Sequence, residues 1–568
     1  MSIDLNRLRS DFSAIAACTA TPGNGATRPT FSDAWGQSRD YVIAQATLAG
    51  CDVRTDAFGN IRARPKALGW DTPAWLVGSH IDTVPHGGDY DGVAGVVVAL
   101  ELLRSAHDDG ITLPVELIVF AEEEGPTFGL GMIGSRLLVG ELDADAIASL
   151  RNSDGKNYIE AGAKYGVDPS RFAASRLSAA TVLGLIELHI EQGPGMWRRD
   201  QRLAVVIAIA GRRQYKVSFA GAANHAGATS MQDRKDALAC ACEAVVALEQ
   251  LAPTLSRDTV VTVGRLSVHP NAVNVIADRV DFTIDFRSPD DVLLTRGDTL
   301  IRSILTGIAS RRQLTLTLDQ TEAIPARPMA GKLVDAFRAL GVEHTAVSGA
   351  LHDSAVLAPH VPTVMLFVPS KGGISHNPAE FSRVEDVCEG AKAIAKLVRR
   401  TPLATLNAMS KDAFVKTVGG VFEHSPWIAE RAHRSGPFKS IDDLHAKMAS
   451  IVRASSTDEQ LGLIRAHPDL VGKLAREGRL TRESTSEQAA AGLTSLSAEE
   501  IVAFEKHNAA YREKFGFPFI ICARQNRKDA ILAAFPVRLK NDRAAEIATA
   551  LSEIEKIALL RLRDAAWE

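Results

Sequence analysis

The sequence predicts a multidomain protein: an α/β domain, a smaller α+β domain inserted within it, and an all-α domain behind. Three observations carry this. Short apolar runs alternate with helical ones over residues 50–210, the texture changes over 211–325, and nearly everything beyond 410 has helical spacing.

In the first stretch, AWLVGSH (74–80), VELIVFAEEE (115–124) and GLIELHIEQG (184–193) read as buried strands ending in polar residues. GVAGVVVALELLRSA (92–106) reads as the helix joining the first two, and such alternation predicts a largely parallel sheet. The run VPTVMLFVPSKGGISHNP (361–378) has the same character and would complete that sheet. Between them, RRQYKVSFAG, DTVVTVGRLSV and NVIADRVDFTIDFRS alternate as strands do, while KDALACACEAVVALEQLA and DVLLTRGDTLIRSILTGIAS have helical spacing. The expected domains are 1–210 with 326–400, an insertion at 211–325, a linker at 401–409, and 410–568. In the last, LHAKMASIVRA, SAEEIVAFEKHNAAYREKF and DRAAEIATALSEIEKIALLRLRDAA read as helices, the third bounded by Asp542.

Bulk properties narrow the function. The chain of 568 residues is 46% hydrophobic and 23% charged, a globular balance, with a formal charge of −4. No basic run offsets that charge, so nucleic acid is not an expected partner. The six cysteines are scattered without a CxxC pair, as in a reducing compartment. The start, MSIDLNRLRSDFSAIAA, has charges where a signal peptide needs an apolar core, and no apolar stretch near ~18 residues lacks a charge or breaker. A cytoplasmic protein without a membrane partner is expected.

Potential ligands follow the strands. His80 and Asp82 end the first; Asp91 lies in GGDYDG; Glu122, Glu123 and Glu124 end the second; His189 and Glu191 end the third; His376 follows LFVPSKGGIS. Functional groups of an open α/β sheet gather at the carboxyl ends of its strands, so these can share one crevice. Histidine and carboxylate donors without cysteine suit a catalytic pair of zinc, manganese or cobalt ions. Two such ions polarise a carbonyl and acidify water, and a glutamate outside the ligand set can move the proton.

GSHIDTVPHGGDYDG, FAEEEG, LHIEQGP, NHAGATSMQDRKDA, PNAVNVI with DFRS, and ISHNPAE resemble the M20-type dinuclear metallohydrolases. The resemblance is to the branch with allantoate amidohydrolase, N-carbamoyl-L-amino-acid hydrolases and β-ureidopropionase, over residues 5–400. It implies an α/β dinuclear metallohydrolase domain with an inserted lid or dimerisation domain. Two divalent ions (Mn2+ or Zn2+) would be held by His80, Asp91, Glu124, His189 and His376, with Asp91 bridging. Glu123 would be the general base, in a register set by Gly125, and Asp82 would orient His80. His225 would reach the scissile carbonyl from the partner subunit of a homodimer. Asn274 and Arg287 would hold the substrate, the latter through a carboxylate, and Gln192 and His352 would add contacts. EEGPTF departs from the branch, which places Arg-Phe after EEG and a small residue; Pro126 and Thr127 remove one cation there.

The last domain contains EHSPWIAERA (423–432), IRAHPDL (464–470), STSEQAAAGL (484–493) and KFGFPFIICAR (514–524). His467 precedes a proline, which places its imidazole rigidly, and Glu487–Gln488 read as a helix start after Ser484 or Ser486. From the residues alone this is a helical interaction module or an enzyme. The motifs resemble OHCU decarboxylase, which converts 2-oxo-4-hydroxy-4-carboxy-5-ureidoimidazoline to (S)-allantoin without a cofactor. The resemblance makes His467 the catalytic imidazole, Glu487 and Gln488 contacts to the ureido group and ring, and Arg524 or Arg561 the carboxylate contact. A decarboxylase that makes allantoin, joined to the first domain, implies small ureides as substrates and allantoate for the hydrolase. N-carbamoyl amino acids and ureidoglycolate are the alternatives, with the helical domain serving as an assembly module.

Overall fold

The computed structural model describes residues 1–471, 481–493 and 496–567. It comprises two compact units, Met1–Val398 and Arg399–Glu568.

A nine-stranded sheet organises the first unit. Its path runs Cys51–Thr55, Ile61–Pro65, Val115–Phe120, Ala74–His80, Val182–Ile190, Thr363–Val368, Ala204–Ile209 and Arg327–Pro328, with His344–Ser348 also paired to Ala204–Ile209. The four central strands are parallel, and Ala74–His80, Val115–Phe120 and Thr363–Val368 are buried at every position. Covered parallel strands have no solvent face, which is why their sequences are continuous apolar runs rather than alternating ones. The expected late strand takes its place beside Val182–Ile190, with Phe367 opposite His189. Helix Val93–Asp108 packs on Ala74–His80 and against helices Leu5–Ala16 and Val384–Val398. Helix Val93–Asp108 begins at Gly92, whose φ of 66° lies in the left-handed region; a Cβ there would meet the His80 ring at 2.5 Å.

Within the same unit, Thr315–Ile324, Gly211–Ala220, Arg279–Ser288, Val260–Thr262 and Leu266–His269 form a second, antiparallel sheet. Alternate residues Tyr215, Val217 and Phe219 share a core with Val280, Phe282, Ile284 and Phe286. Helices Ala237–Leu255 and Asp291–Arg312 cover that face through Cys240, Leu248, Leu294 and Ile301. The run 258–268, expected as one strand, breaks into two around Gly264, and residues 274–278 form a loop before the strand at Arg279. Ala237–Leu255 is also long and apolar enough to cross a membrane by composition, although none was expected; its Ala241, Ala244 and Leu248 are buried in this core.

Among its described residues the second unit's regular structure is helical apart from a two-residue parallel pairing of Thr401–Pro402 with Ala566–Trp567. Asp542 caps the last helix, Arg543–Ala565, by accepting from Ala545 N at 2.8 Å. The segment read as a linker, 401–409, carries helix Leu403–Ala408, whose Leu403 and Leu406 enter this unit's core with Phe414, Ile428 and Phe535. The helix carrying Glu487 begins earlier than expected, at Arg482, because Thr481 rather than Ser484 is its cap, accepting from Ser484 N at 3.3 Å. The side chain of Ser486, the other expected cap, lies outside the described set.

Candidate metal centre and helical pocket

The strand order of the first sheet delivers His80 and His189 side by side at the ends of neighbouring strands, both about 1% exposed or less. Each ring is oriented the same way. His80 Nδ1 donates to Asp82 O at 3.0 Å and His189 Nδ1 to Ile190 O at 3.0 Å. A ring whose Nδ1 holds the hydrogen has its lone pair on Nε2, the tautomer a metal ligand needs. Both Nε2 atoms face Asp91 Oδ1, at 3.6 Å from His80 and 3.1 Å from His189. The other oxygen of Asp91 faces His376 Nε2 at 3.3 Å, and that nitrogen is 3.2 Å from Glu124 Oε2. Two triads thus share Asp91: His80, Asp91 and His189 in one, and Asp91, Glu124 and His376 in the other.

Charge balance fits the donor set to divalent cations. Asp82, Asp91, Glu123 and Glu124 are crowded together, and among the described residues none of them pairs with Lys or Arg. Burial and the neighbouring acids push the Glu124 and Glu123 carboxyls up in this geometry. Asp82 Oδ1 is buried without a hydrogen-bond partner. Buried anions lacking counter-charges are what bound cations relieve.

The three consecutive glutamates diverge. Glu123 Oε2 lies 3.6 Å from His80 Nε2, and Glu124 faces His376. Glu122 turns away, with φ 56°, and accepts from Thr127 N and Phe128 N at 3.0 Å. Burial, then Asp82, raise its carboxyl to about 7. Thr127, where the family pattern has arginine, instead accepts from Thr30 N through its hydroxyl at 3.2 Å.

The other expected residues make contacts of their own. Asp82 touches the His80 ring with its main-chain oxygen; its carboxylate is 3.7 Å from Nδ1, and Oδ2 accepts from Glu124 N at 3.1 Å. Glu191 accepts from Met196 N and holds the Gly195–Arg198 turn, so it stays out of the cluster. Gln192 Nε2 donates to Asp91 Oδ2 at 2.7 Å. His352, 2% exposed, pairs with Ser348 Oγ at 2.8 Å and packs edge-on to His189; burial holds its pKa well below the usual value. His225 and Asn274 are exposed on paired segments of the 211–325 region, and among the described residues neither hydrogen-bonds to the candidate metal cluster. Gly227 N and Ala228 N donate to His225 Nδ1, which leaves Nε2 as the hydrogen-bearing nitrogen. Arg287 is gripped by Asp285, at 2.7 and 3.2 Å, and donates to Gly349 O at 2.7 Å.

Two residues escaped the sequence reading. Glu380, 6% exposed, accepts from Tyr90 N at 2.9 Å, Asp91 N at 3.1 Å and Ser375 Oγ at 2.9 Å, so it ties the Asp91 loop to the His376 loop. Glu187, fully buried in its strand, accepts from the hydroxyls of Ser79 and Ser354. A glutamate closing ISHNPAE and another interrupting an apolar strand were the available signals.

In the second unit a pocket is lined by His467, Ser484, Glu487, Gln488, Ile520 and Arg561, among others. His467 closes helix Thr457–Ala466; its Nδ1 donates to Leu463 O at 3.0 Å, and Nε2 is buried without a partner. Burial depresses its pKa to about 4, more than the Leu463 bond and Glu423 raise it, so the imidazole is a neutral base near pH 7. Glu487 takes Arg561 Nε and Nη2 at 2.8 Å each, and Gln488 Oε1 accepts from Val471 N at 3.1 Å. Arg524 is not a pocket contact. Its guanidinium turns to Asp564, at 2.5 Å, in a half-exposed surface pair.

Residues 76–400 match peptidase family M20/M25/M40, and residues 407–563 match OHCU decarboxylase. The N-carbamoyl-L-amino-acid amidohydrolase of Paenarthrobacter aurescens is 36% identical over 384 residues, 66% of this chain and 93% of its own length. The allantoate amidohydrolase of Escherichia coli is 31% identical over 390 residues, 67% and 93% of the two chains. A crystal structure of an amidase of the hydantoinase/carbamoylase family from Burkholderia multivorans superposes with a TM-score of 0.65. It is 34% identical and covers 69% of this chain and 97% of that one. The chain therefore belongs to the M20 peptidase family and carries an OHCU decarboxylase domain after its M20 region.

Proposed function

We propose that the first unit hydrolyses allantoate to ureidoglycine, ammonia and CO2, and that the second decarboxylates OHCU to (S)-allantoin. The pairing of the two families supports a role in purine catabolism and an enzyme with hydrolase and carboxy-lyase activity. The observation that carries the hydrolytic half is the pair of triads sharing Asp91, with Glu123 beside His80. His80, His189 and Asp91 would hold one divalent ion and Glu124, His376 and Asp91 another; manganese and zinc both suit these donors. When bound, such ions polarise a carbonyl and acidify water. Glu123 takes the proton of the attacking water and returns it to the leaving nitrogen. Asn274 and Arg287 orient the substrate, with Asp285 holding the Arg287 fork in place. Allantoate is chosen over other ureides because the attached domain belongs to the family that produces allantoin, one ring-opening step upstream.

In this reading the protein is a homodimer through the inserted domain. The partner subunit's His225 offers its Nε2–H to the scissile carbonyl, which its exposure and tautomer support. In the second unit the bare Nε2 of His467 mediates proton transfer as CO2 leaves, and the conjugated ring accepts the electrons. No cofactor is needed for that step.

Turnover tests both halves. The purified chain, stripped of metal and reloaded separately with Mn2+ and Zn2+, is assayed on allantoate, ureidoglycolate and N-carbamoyl amino acids. Hydrolysis of a carbamoyl amino acid with none of allantoate refutes the substrate assignment and selects the second reading. That reading is favoured by the 36% identity to amidohydrolases of that name. OHCU decarboxylation that survives His467→Ala refutes the second half.

A further inference from the structure

The motif EHSPWIAERA at 423–432 contributes a residue that the sequence reading left without a role. Glu423 lies in the loop between helices Lys411–Val418 and Trp427–His433 and is 2% exposed. Its carboxylate accepts hydrogen bonds from two other elements. Arg561 Nη1, on the last helix, donates to Oε2 at 2.6 Å, and Ser484 Oγ donates to the same oxygen at 3.2 Å. Thr481 Oγ1 donates to Oε1 at 2.9 Å. Thr481 is the cap of the helix that carries Glu487 and Gln488, so Glu423 joins that helix's start to Arg561.

Arg561 is thereby almost fully committed. A guanidinium has five N–H donors. Four of Arg561's point at protein: Nε and Nη2 at Glu487, Nη2 also at Ser484, and Nη1 at Glu423. Arg561 was one of two candidates for the carboxylate contact, and this arrangement leaves it a single-point contact rather than a fork. One Nη1–H remains. Glu423 is also ionised. Burial pushes its carboxyl up, but the Arg561 guanidinium and the hydrogen bonds from Arg561 and Thr481 outweigh burial and hold it below the usual range. Glu423 itself is not among the pocket-lining residues.

We infer that Glu423 is a positioning residue of the helical pocket. It fixes Arg561 and the start of the Glu487 helix, so that Arg561 keeps one uncommitted Nη1–H in the pocket that it lines together with His467. The inference rests on the decarboxylase reading of this domain. Arg561 stays bonded to Glu487 when Glu423 is lost, but its Nη1 end and Thr481 both lose their anchor. A displacement of about 1 Å in a reacting constellation lowers the rate on the order of 10²-fold.

The test compares the full-length chain with Glu423→Gln and Glu423→Asp, on freshly generated OHCU, reading kcat and KM separately beside thermal melting. Gln preserves the shape but removes the charge and one of the two acceptor oxygens; Asp preserves the charge. The expected result is a kcat for E423Q lower by on the order of 10²-fold, a KM within about threefold, and at least a tenfold recovery in E423D. A purely structural role moves the melting temperature but tolerates Gln in folded protein. Ser484→Ala removes the bridge between Glu423 and Arg561 without touching charge. It lowers kcat by about threefold or more, and decides the matter if E423Q does not fold. A wild type that turns over while folded E423Q, or S484A in its stead, matches it within about twofold overturns the inference alone. E423D no better than E423Q overturns it too. A wild type that releases no CO2 overturns the decarboxylase reading and the inference with it.

Discussion

Gly92→Ala tests whether the first sheet's carboxyl-end crevice is built to sub-ångström tolerance. Gly92 has φ 66°, and a Cβ there would sit 2.5 Å from Cε1 and Nε2 of His80. Relaxing that contact to about 3.5 Å moves the ring, or the helix start, by about 1 Å. The left-handed backbone adds roughly 1–2 kcal/mol of strain for any residue with a Cβ. The ring cannot yield freely, because His80 Nδ1 is tied to Asp82 O and Nε2 faces Asp91 and Glu123. A 1 Å displacement of a site residue lowers turnover on the order of 10²-fold. We therefore expect G92A to fold with a lower melting temperature, to bind fewer divalent ions per chain by elemental analysis, and to lose allantoate hydrolysis by about that factor. A G92A chain that binds wild-type metal and keeps wild-type kcat refutes the placement of His80 in the metal centre.

Other outcomes follow from the same geometry. The His467 pKa falls from 6.5 to about 4 on folding, so between those values the unfolded chain binds the proton and the native chain does not. This contribution is complete above pH 6.5 and is lost as pH falls toward 4, about 3 kcal/mol in all; urea unfolding of wild type and His467→Gln across that window shows it as a difference in slope. Arg524→Ala leaves OHCU decarboxylation within about twofold of wild type and stability within about 1 kcal/mol, since its partner Asp564 is a surface pair. Arg561→Ala strands the buried Glu423 and the partly buried Glu487 carboxylates and costs about 3–5 kcal/mol by denaturant titration, with loss of activity. Chelation abolishes allantoate hydrolysis and spares decarboxylation, because all three His–acid clusters among the described residues lie in the first unit. Decarboxylation that needs restored metal contradicts this.

Legibility in the sequence followed the range of the interactions concerned. Val115–Phe120 and Thr363–Val368 were readable because a covered parallel strand is apolar throughout, and that pattern is local. The cap at Asp542 was readable for the same reason. The cap at Thr481 was not, since four serine or threonine residues compete within residues 481–486, and only the folded chain shows that the Thr481 hydroxyl is the one accepting from the helix's first turn. The candidate ligands His80, Asp91, Glu124, His189 and His376 were among the residues that stood out by their place after strands, which a fold of this class turns into proximity. Nothing local gives Glu380, four residues after His376, its role, and Glu423 carries no such mark. Their partners lie 289 and 138 residues away, and only the folded chain brings them together.

By itself the sequence determined the α/β layer, the alternating strands of the second sheet, the helical tail, and the residue types gathered at each site. Those depend on periodicity and local chemistry, which every segment holds within itself. The tertiary structure alone decided what each polar atom faces: Gln192 on Asp91, Arg524 on Asp564, and Arg561 between two carboxylates. A side chain's charge is a property of the residue. Its partner is a property of the packing, because burial forces each polar group to satisfy itself with whatever the fold has placed within reach.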